Sequence, residues 1–493
     1  MKKRGEAGGG PAIEDLFALA VARHQAGSVA EAETLYKRVL QRDSGHLGAR
    51  CNIAQALHHL GKLEAAARAY LWVIARGVTA AEIHNGLGMA LQELGRHDEA
   101  VTAFRRGLAC HPENADLFHS LGIALRSGDR VEEAITAYGR ALSVIPAHAL
   151  ARFNLANAYR EQGYLGRAIA CYRDCLSLRP DFAAAHHNLA MALLAEGDLA
   201  AGWEEFEWRR DDVRRQKRVF AGPEWEGEKK QGGRLLLYAE EGLGTTLQFV
   251  RYAPLAAARG WDVTLEVQAP LVRLVSGISG AGRTIAAGDD IPPYDAHCSL
   301  LSLPRIFKTD LQTIPASVPY LEAGPSLVAA WRERLADCRG LKIGIAWRGN
   351  PHHLRDRKRS LDLGWFLDRL DRPDIDIVSL QKDFTRAEIP AGRERARFLD
   401  VGRSLSDFAD TAALVATLDL VIAVDTAVCH LAGALGIPVW TLIDAAPDWR
   451  WLTGRSDTPW YPSMRLFRQA RPGDWDSVAG RIEEELSRFS PRR

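Results

Sequence analysis

Residues 421–438 contain the most informative polar group of the chain, Asp425, Thr426 and His430, set between two apolar stretches. The apolar run at 421–424 is typical of a strand covered on both faces. Asp425 and Thr426 follow it where a helix N-cap belongs, and His430 lies one turn inside that helix. A helix N-terminus offers unpaired N–H groups and a positive dipole end, so the segment is a candidate diphosphate site. Taken alone, the pattern favours an ordinary turn with a core-facing histidine.

Basic residues follow the neighbouring predicted strands and change that interpretation. The loop at 347–360 contains Lys358 and Arg359, and the next strand ends at Gln381 and Lys382. Because parallel strands bring their carboxyl ends to one edge, these groups should meet where a nucleoside diphosphate carrying a sugar could bind. For Gln381 and Lys382, simple solvation at a strand end is an equal alternative. The candidate binding residues are Asp425, Thr426, Ala427, His430, Lys358, Arg359, Gln381 and Lys382.

Acidic residues and a glycine-containing loop follow an earlier predicted strand. Glu240 and Glu241 come directly after it, and Gly242, Gly244, Thr245 and Gln248 lie in the loop and the start of the next helix. His297 is expected at the end of a weaker strand. We expect these residues to face the same cleft as the basic group.

Aromatic residues near the end of the chain have two interpretations. They could stack on a sugar or base, but a packed shell is the favoured interpretation. These residues are Trp449, Trp451, Trp460 and Tyr461.

Two α/β units must position these residues. Short apolar runs alternate with helical patterns from residue 234 onward, which predicts parallel sheets in two Rossmann-like domains, 234–338 and 339–493, with a cleft between them. The predicted strands are 235–238, 263–267, 284–287, 296–300, 342–347, 375–380, 418–424 and 439–442. The main predicted helices are 246–259, 326–337 and 475–489.

Residues 13–210 repeat with a period of 34. Small residues recur at Ala32, Ala66, Ala100, Ala134, Ala168 and Gly202, and aromatic residues follow four positions later, from Tyr36 to Phe206. The pattern of each unit predicts a helix, a glycine-containing turn and a second helix. A single pair of helices cannot bury its apolar face, so neighbouring pairs must stack. The pattern resembles the tetratricopeptide repeat, which implies a solenoid whose concave face binds a protein or peptide. Asparagines on the first helices, Asn52, Asn85, Asn154, Asn157 and Asn188, could hold a partner's backbone or could be merely solvated.

Composition limits the remaining possibilities. The chain has 493 residues and a formal net charge of +1, which gives no case for a nucleic-acid partner. Its seven cysteines lack metal-ligand spacing, so we expect reduced thiols, a cytoplasmic protein and no metal site.

Two segments are expected to lie outside the folded domains. We expect residues 1–12 to be a disordered lead and 211–233 to be a linker. No apolar run in the sequence is long enough to span a membrane.

The part of the chain after the repeats resembles the GT-B glycosyltransferases, specifically the heptosyltransferase-like group. Together with the repeats, the chain is similar to bacterial proteins that fuse tetratricopeptide repeats to this domain, and this resemblance covers nearly the whole chain from about residue 13. The resemblance rests on DFADTAALVATLDLVIAVDTAVCHLAGALGIPVW and on DWRWLTGRSDTPWYPSMRLFRQ. In that family the D-T-x-x-x-H-L-A sequence holds the donor diphosphate, which implies this role for Asp425, Thr426 and His430. The family's basic loop maps onto the loop with Lys358 and Arg359.

The resemblance also shows a departure at residue 245. The family reads G-x-G-D or M-G-D where this chain reads EEGLGTT, so Thr245 stands where the family has its proposed aspartate base. A threonine hydroxyl is not a base near pH 7, and the role would pass to another residue or be absent. The candidate catalytic residues are therefore Thr245, Glu240, Glu241 and His297.

Two functions follow from these features. The first is an inverting, metal-independent glycosyltransferase without a resident cofactor, which uses a nucleoside-diphosphate sugar and an acceptor, plausibly a protein, presented by the repeats. The alternative is a non-catalytic scaffold whose transferase domain has lost its chemistry at Thr245. A dinucleotide-dependent oxidoreductase is disfavoured because no G-x-G-x-x-G follows a first strand.

Overall fold

The computed structural model describes residues 12–211, 218–351, 356–370, 372–389, 397–445 and 448–490. Residues 1–11 of the expected disordered lead lie outside this range, as do 212–217 of the expected linker. The chain divides into two compact units, Met1–Asn188 and Leu189–Arg493.

The first unit is a series of paired helices, as the period of 34 predicts. The small residues and the aromatic residues of the pattern are buried where the helices of a pair meet; Ala32, Tyr36, Ala134 and Tyr138 have no exposed surface. The helices are α1 (Ile13–Gln25), α2 (Val29–Arg42), α3 (Leu47–His59), α4 (Leu63–Ile74), α5 (Ala81–Glu93), α6 (His97–Cys110), α7 (Ala115–Ser127), α8 (Val131–Val144), α9 (Ala149–Glu161), α10 (Leu165–Leu178) and α11 (Ala183–Glu196).

The turn within each pair needs one residue in the left-handed region. Gly27, Gly61, Gly95 and Gly163 supply it with φ between 69° and 79°. In the fourth pair the glycine of the sequence falls one place early, and Asp129 adopts this conformation with φ 58°. Aspartate tolerates the left-handed region better than most residues, so the turn is kept.

Three of the five asparagines on the first helices, Asn154, Asn157 and Asn188, form hydrogen bonds within the array. Asn157 Oδ1 accepts hydrogen bonds from Tyr172 Oη at 2.6 Å and from Asn188 Nδ2 at 2.8 Å. Asn154 Nδ2 lies 2.8 Å from Nε2 of His119, whose pKa burial lowers to about 4. These side chains therefore stabilise neighbouring helices against one another, so the simple alternative of solvated asparagines does not describe them.

The second unit contains two parallel sheets. The strands are β1 (Gly233–Tyr238), β2 (Trp261–Val267), β3 (Ala281–Ala286), β4 (Ala296–Ser299), β5 (Leu341–Ala346), β6 (Ile375–Ser379), β7 (Phe398–Asp400), β8 (Leu420–Val424), β9 (Val439–Ile443) and β10 (Met464–Arg468). The helices are α12 (Leu199–Phe206), α13 (Leu243–Phe249), α14 (Ala253–Ala257), α15 (Val272–Val275), α16 (Leu303–Ile306), α17 (Pro325–Arg334), α18 (Asp356–Arg359), α19 (Leu363–Arg369), α20 (Phe408–Val415), α21 (Ala427–Ala434) and α22 (Trp475–Arg488).

The strand orders are β3-β2-β1-β4 in the first sheet and β10-β9-β8-β5-β6-β7 in the second. In each sheet the strand that comes first along the chain is central, and the direction of the strand order reverses beside it. The second sheet has the order of doubly wound α/β sheets. The short edge strands β7 and β10 were not predicted, because each has polar or half-exposed positions in place of a continuous apolar run.

Two predicted boundaries were wrong in detail. The helix expected at 246–259 begins earlier, in α13, and is followed by a 3₁₀ turn, Val250–Tyr252, and by α14. Pro254 lies at the start of α14 and cannot continue the hydrogen bonds of a preceding helix. The described part of the expected linker is also not detached, because Trp225 is buried and donates its backbone N–H to the His297 carbonyl at 2.9 Å.

The boundary between the compact units lies inside α11, upstream of the expected boundary near residue 210. The reason is apolar packing. Leu194, Leu199 and Trp203 belong to the same buried cluster as Leu235 of β1. The aromatic segment at 202–210 is thus part of the α/β unit.

No helix in the described residues is both long and apolar enough to cross a membrane. The most apolar candidate of the sequence, 412–424, is divided between α20 and β8.

Candidate functional site

The strand order of the second sheet reverses between β5 and β8. Ala346 and Ala423 are register partners near the carboxyl ends of these strands, so the residues that follow them flank one crevice. Asp425 and Thr426 follow β8 there. Ligands of doubly wound sheets bind at such a reversal point, which makes this crevice the first candidate site.

Arg359 of α18 reaches the N-terminus of α21. Its Nη1 donates to the Asp425 carbonyl at 2.7 Å, and its Nε lies 3.3 Å from Asp356 Oδ1. Thr426 is the N-cap of α21, yet its side chain makes no capping bond, and its buried Oγ1 has no hydrogen-bond partner among the described residues. A cation and an unused hydroxyl therefore lie at the positive end of a helix. Lys358 is exposed, and residues 352–355 of the predicted basic loop lie outside the described residues.

The structure places His430 in the core beside this helix end. Its Nδ1 is 2.9 Å from Tyr461 Oη, and its ring stacks on Trp451 at 5.3 Å. Burial, with the nearby charge of Arg450, lowers the pKa of His430 to about 3, so its ring is neutral near pH 7. The histidine thus packs α21, as the simpler interpretation of the isolated motif predicted.

Gly244 of α13 packs against the ring of His430. A Cβ at position 244 would lie 2.8 Å from His430 Cδ2 and 3.4 Å from the Ala427 Cα. Only a glycine allows α13 of the first sheet and α21 of the second sheet to approach this closely. The two candidate loops predicted from the sequence are therefore neighbours.

Glu240 is committed to an ion pair. Its Oε2 accepts from Arg209 Nε at 2.8 Å, and the same guanidinium binds Glu207 Oε1 and Ser302 Oγ, both at 2.8 Å. Arg209 is 1% exposed. Removing Glu240 from the buried Arg209 would be costly, because it would leave a buried charge without one of its partners. Glu240 therefore holds the loop after β1 and is poorly placed to accept a proton.

His297 was predicted at a strand end, and this position is wrong. It lies inside β4, level with Leu236 of β1, and the strand continues to Ser299. Its ring lies 5.0 Å from that of Phe220 and 6.2 Å from that of Tyr238. The strand begins at Ala296, as predicted, so His297 lies near the amino end of β4 and not at its carboxyl end.

Arg450 connects the two sheets at the site. It lies in the 3₁₀ turn Trp449–Trp451, after β9, and is 8% exposed. Its Nε donates to Gln248 Oε1 at 2.7 Å and its Nη2 to Thr245 Oγ1 at 2.9 Å, both on α13. Its Nη1 donates to Asp448 Oδ1 at 2.8 Å. Thr245 and Gln248 of the first sheet are thus held by one cation from the second.

Two carboxyl groups of the second sheet have pKa values shifted in opposite directions. Burial, reinforced by the charge of Asp448, raises the pKa of Asp425. Burial acts in the same direction on Asp448, but Arg450 outweighs it and lowers the pKa of that group. Such divergence is common where groups exchange protons or bind ligands.

Gln381 and Lys382 lie where predicted, after β6, but both bind the protein. Gln381 Oε1 accepts from the Arg348 backbone N–H at 3.3 Å, and its Nε2 donates to Asp383 Oδ1 at 2.7 Å. Lys382 Nζ donates to the Ser406 carbonyl at 3.0 Å.

The sequence interpretation missed two buried arginines. Arg450 stands in the string DWRW, whose tryptophans were interpreted as a packed shell while Arg450 itself was given no role. Arg251 is 3% exposed and donates to the Gln248 carbonyl at 2.7 Å, the Trp460 carbonyl at 2.8 Å and Tyr320 Oη at 2.9 Å. A cation between two tryptophans is the signal that could have identified Arg450. The packed aromatic shell itself is confirmed by the burial of Trp449, Trp451, Trp460 and Tyr461.

Within the described residues, no group of three or more His, Cys, Asp or Glu side chains is arranged to hold a metal ion.

The helical array matches known repeat families. Residues 51–115 and 119–176 match the model described as tetratricopeptide repeat, and 156–197 match a model described as TPR repeat. The array therefore contains tetratricopeptide repeats, as the period of 34 predicted.

Solved structures and one curated relative are also similar to parts of the chain. MamA is 22% identical with a TM-score of 0.32, covering 35% of this chain and 94% of MamA. YrrB, "a TPR protein with an unusual peptide-binding site", is 21% identical with a TM-score of 0.32, covering 36% of this chain and 92% of YrrB. Protein FlbA of Caulobacter vibrioides is 29% identical over 324 residues, or 60% of this chain and 54% of FlbA. The chain thus spans about half the length of that relative.

The first prediction concerns the close approach at Gly244. Gly244→Val should displace α13 from α21 and lower the melting temperature of the full chain, because overpacking typically costs about 1–3 kcal/mol. Gly242→Ala is the matched control, since a Cβ at 242 meets nothing within 4 Å and Gly242 has φ −71°. Equal melting temperatures for Gly244→Val and the wild type would contradict the observed packing.

The second prediction concerns the pH dependence of stability. In the unfolded chain His430 binds a proton below its ordinary pKa of 6.5, whereas the folded residue stays neutral until about pH 3. The unfolded state therefore binds more protons in this window, and stability falls with acidification by up to about 1.4 kcal/mol per pH unit. Urea unfolding between pH 6.5 and 5 should show a smaller loss in His430→Gln than in the wild type. Parallel curves would show that His430 is not buried in the neutral form.

Proposed function

We propose that the α/β unit is an inverting, metal-independent glycosyltransferase that transfers a sugar from a nucleoside-diphosphate donor. The observation that carries the proposal is the N-terminus of α21. There the Arg359 guanidinium accompanies the first N–H groups of the helix, where the strand order reverses. The Thr426 hydroxyl, which has no hydrogen-bond partner among the described residues, lies at the same helix end. Phosphates favour such positions because the N–H groups and the helix dipole compensate their charge.

Protein groups would stabilise the leaving diphosphate. Arg359 and the end of α21 would offset the negative charge that develops as the bond to the sugar breaks. The pKa of Asp425 is raised by burial and by the charge of Asp448, which makes protonation of this carboxyl group beside a phosphate less costly. No resident cofactor is needed, because the nucleoside-diphosphate sugar is a co-substrate.

The two parallel sheets of one compact unit fit the GT-B architecture that the resemblance implies. In the proposal the second sheet binds the donor, and the loop after β1, with Gly242, Gly244 and Gln248, forms the acceptor side. His430 serves this site by packing α21, and Ala427 forms the first turn of that helix.

Glu241 is the best candidate for the base that accepts the acceptor's proton. Glu240 is neutralised by Arg209, and His297 lies within β4. The Glu241 carboxylate is 27% exposed and lies 3.4 Å from Thr245 Oγ1, beside the position where the family has its aspartate. A carboxylate in this place can accept a proton from a hydroxyl that attacks the anomeric carbon.

The repeats would bind the acceptor, a protein or peptide. Support comes from the match of residues 51–115 and 119–176 to the tetratricopeptide repeat, because stacked repeats of this kind form extended concave surfaces that bind such partners. The seven free cysteines fit a reducing, cytoplasmic location.

The third prediction separates two adjacent basic residues. Arg359→Gln should weaken the binding of the preferred nucleoside diphosphate about 10- to 100-fold, since a charge-assisted bond to a phosphate is worth about 1.5–3 kcal/mol. Lys358→Gln, at an exposed position, should change binding less than about 3-fold, within the range of a solvated charge. Calorimetric titration of the full chain with UDP, GDP, ADP and CDP measures both.

The outcomes distinguish the possible functions. Equal effects of the two substitutions would show that Arg359 is not at the diphosphate. Absence of binding for all four nucleotides at millimolar concentration would reject the donor site. Binding without transfer to any acceptor would favour the scaffold.

A further inference from the structure

We infer that Thr245 is a positioning residue whose hydroxyl links the Arg450 guanidinium to the Glu241 carboxylate. In this interpretation the threonine at position 245 contributes to the function of the site. Its presence does not mean that the site has lost its general base. The inference rests on the proposed function, because it assigns the proton-accepting role to Glu241.

Three polar atoms form a small triangle. Arg450 Nη2 donates to Thr245 Oγ1 at 2.9 Å, and Thr245 Oγ1 donates to Glu241 Oε2 at 3.4 Å. The third side, Arg450 Nη2 to Glu241 Oε2, is 3.8 Å. A hydroxyl can accept one hydrogen bond and donate another, so Thr245 can serve both neighbours at once. The longer bond can shorten when substrate binds, as catalytic hydrogen bonds often do.

Other contacts fix the Arg450 guanidinium and the backbone of Glu241. Asp448 Oδ1 and Gln248 Oε1 hold the guanidinium of Arg450 at 2.8 and 2.7 Å. The backbone carbonyl of Glu241 accepts from Gln268 Nε2 at 2.6 Å, and Gln268 Oε1 accepts from Thr246 Oγ1 at 2.9 Å. The threonine hydroxyl therefore orients the Glu241 carboxylate between a fixed guanidinium and a fixed loop backbone.

This geometry explains why an aspartate does not fit at 245. A carboxylate there would pair directly with Arg450 in a buried setting, and it would lie within hydrogen-bond range of Glu241. Two carboxylates at this separation do not readily stay ionised together. An aspartate at 245 would thus pair with Arg450 in place of Glu241. It would also compete with Glu241 for the proton of the acceptor.

The proposed proton transfer is simple. The acceptor O–H gives its proton to Glu241 while its oxygen forms a bond to the anomeric carbon of the sugar. The bond between that carbon and the diphosphate oxygen breaks, and its electron pair stays on the diphosphate beside Arg359. No oxidant, reductant or metal ion is required.

The test compares four variants of the full chain, Thr245→Val, Thr245→Ser, Thr245→Asp and Glu241→Gln. The probes are UDP-, GDP-, ADP- and CDP-linked sugars, with release of the nucleotide as the measured rate. Thr245→Val keeps the shape but removes the hydroxyl, and kcat should fall about 10- to 100-fold with KM for the donor changed less than about 3-fold. Thr245→Ser should restore most of the rate, and Glu241→Gln should lower it by about 10²–10⁴. Thr245→Asp should be slower than the wild type.

An exposed threonine of α8, in the repeats, supplies the control. Thr136→Val, whose hydroxyl donates to the Glu132 carbonyl at 3.1 Å, should release nucleotide at the wild-type rate. Melting temperatures of all variants separate loss of rate from loss of fold.

Three other results would reject either the role of Thr245 or the proposed function. A Thr245→Asp variant faster than the wild type, or a Thr245→Val variant equal to it, overturns the inference and leaves the proposed function intact. Stabilisation of the wild type by a nucleotide without turnover of any donor overturns both the base and its positioning residue. If none of the four donors or their nucleotides stabilises the wild type or is turned over, the proposed function itself fails.

Discussion

The buried guanidinium of Arg450 is the interaction on which the rest of the site depends. A charge removed from water must have its donors paired, and Arg450 finds partners in its own turn and on α13 of the other sheet. These partners fix the distance between the loop after β1 and the turn after β9. The cation thus determines where Thr245, and through it Glu241, lies relative to the crevice.

Packing beside Arg450 reinforces the same arrangement. Gly244 lies against the neutral ring of His430, which stacks on Trp451 and contacts Tyr461. Because the ring is neutral, α21 is held by apolar contact and one hydrogen bond, and no charge from His430 competes with Arg359 at the helix end. In the proposed site His430 therefore has a packing role, and the phosphate-binding role is assigned to Arg359 and the end of α21.

Local patterns predicted most of the fold. The period of 34 gave the helix pairs, and continuous apolar runs gave β1, β5, β6, β8 and β9, since a strand buried on both faces leaves that pattern. Pro254 is the signal in the sequence for the break inside the helix that was predicted at 246–259. Edge strands such as β10 were not predicted, because polar positions interrupt their apolar pattern.

The site could be predicted only in part, since its decisive contacts join distant segments. The sequence identified the turn at Asp425 and the acidic loop at Glu241, yet it could not show that Arg450 lies between Thr245 and Asp448. Nor could it choose between Glu240 and Glu241, because that choice depends on the ion pair between Glu240 and the distant Arg209. The sequence also indicated that a base is missing at Thr245, because it does not show the contacts of Thr245 with Arg450 and Glu241.

The most direct test of the account is a crystal structure of the full chain with its preferred nucleoside diphosphate. The account predicts the diphosphate at the N-terminus of α21, within hydrogen-bond distance of Arg359 and the Thr426 hydroxyl, while Arg450 keeps its bond to Thr245. A diphosphate bound away from α21, with Thr426 Oγ1 still unpartnered, would contradict the account.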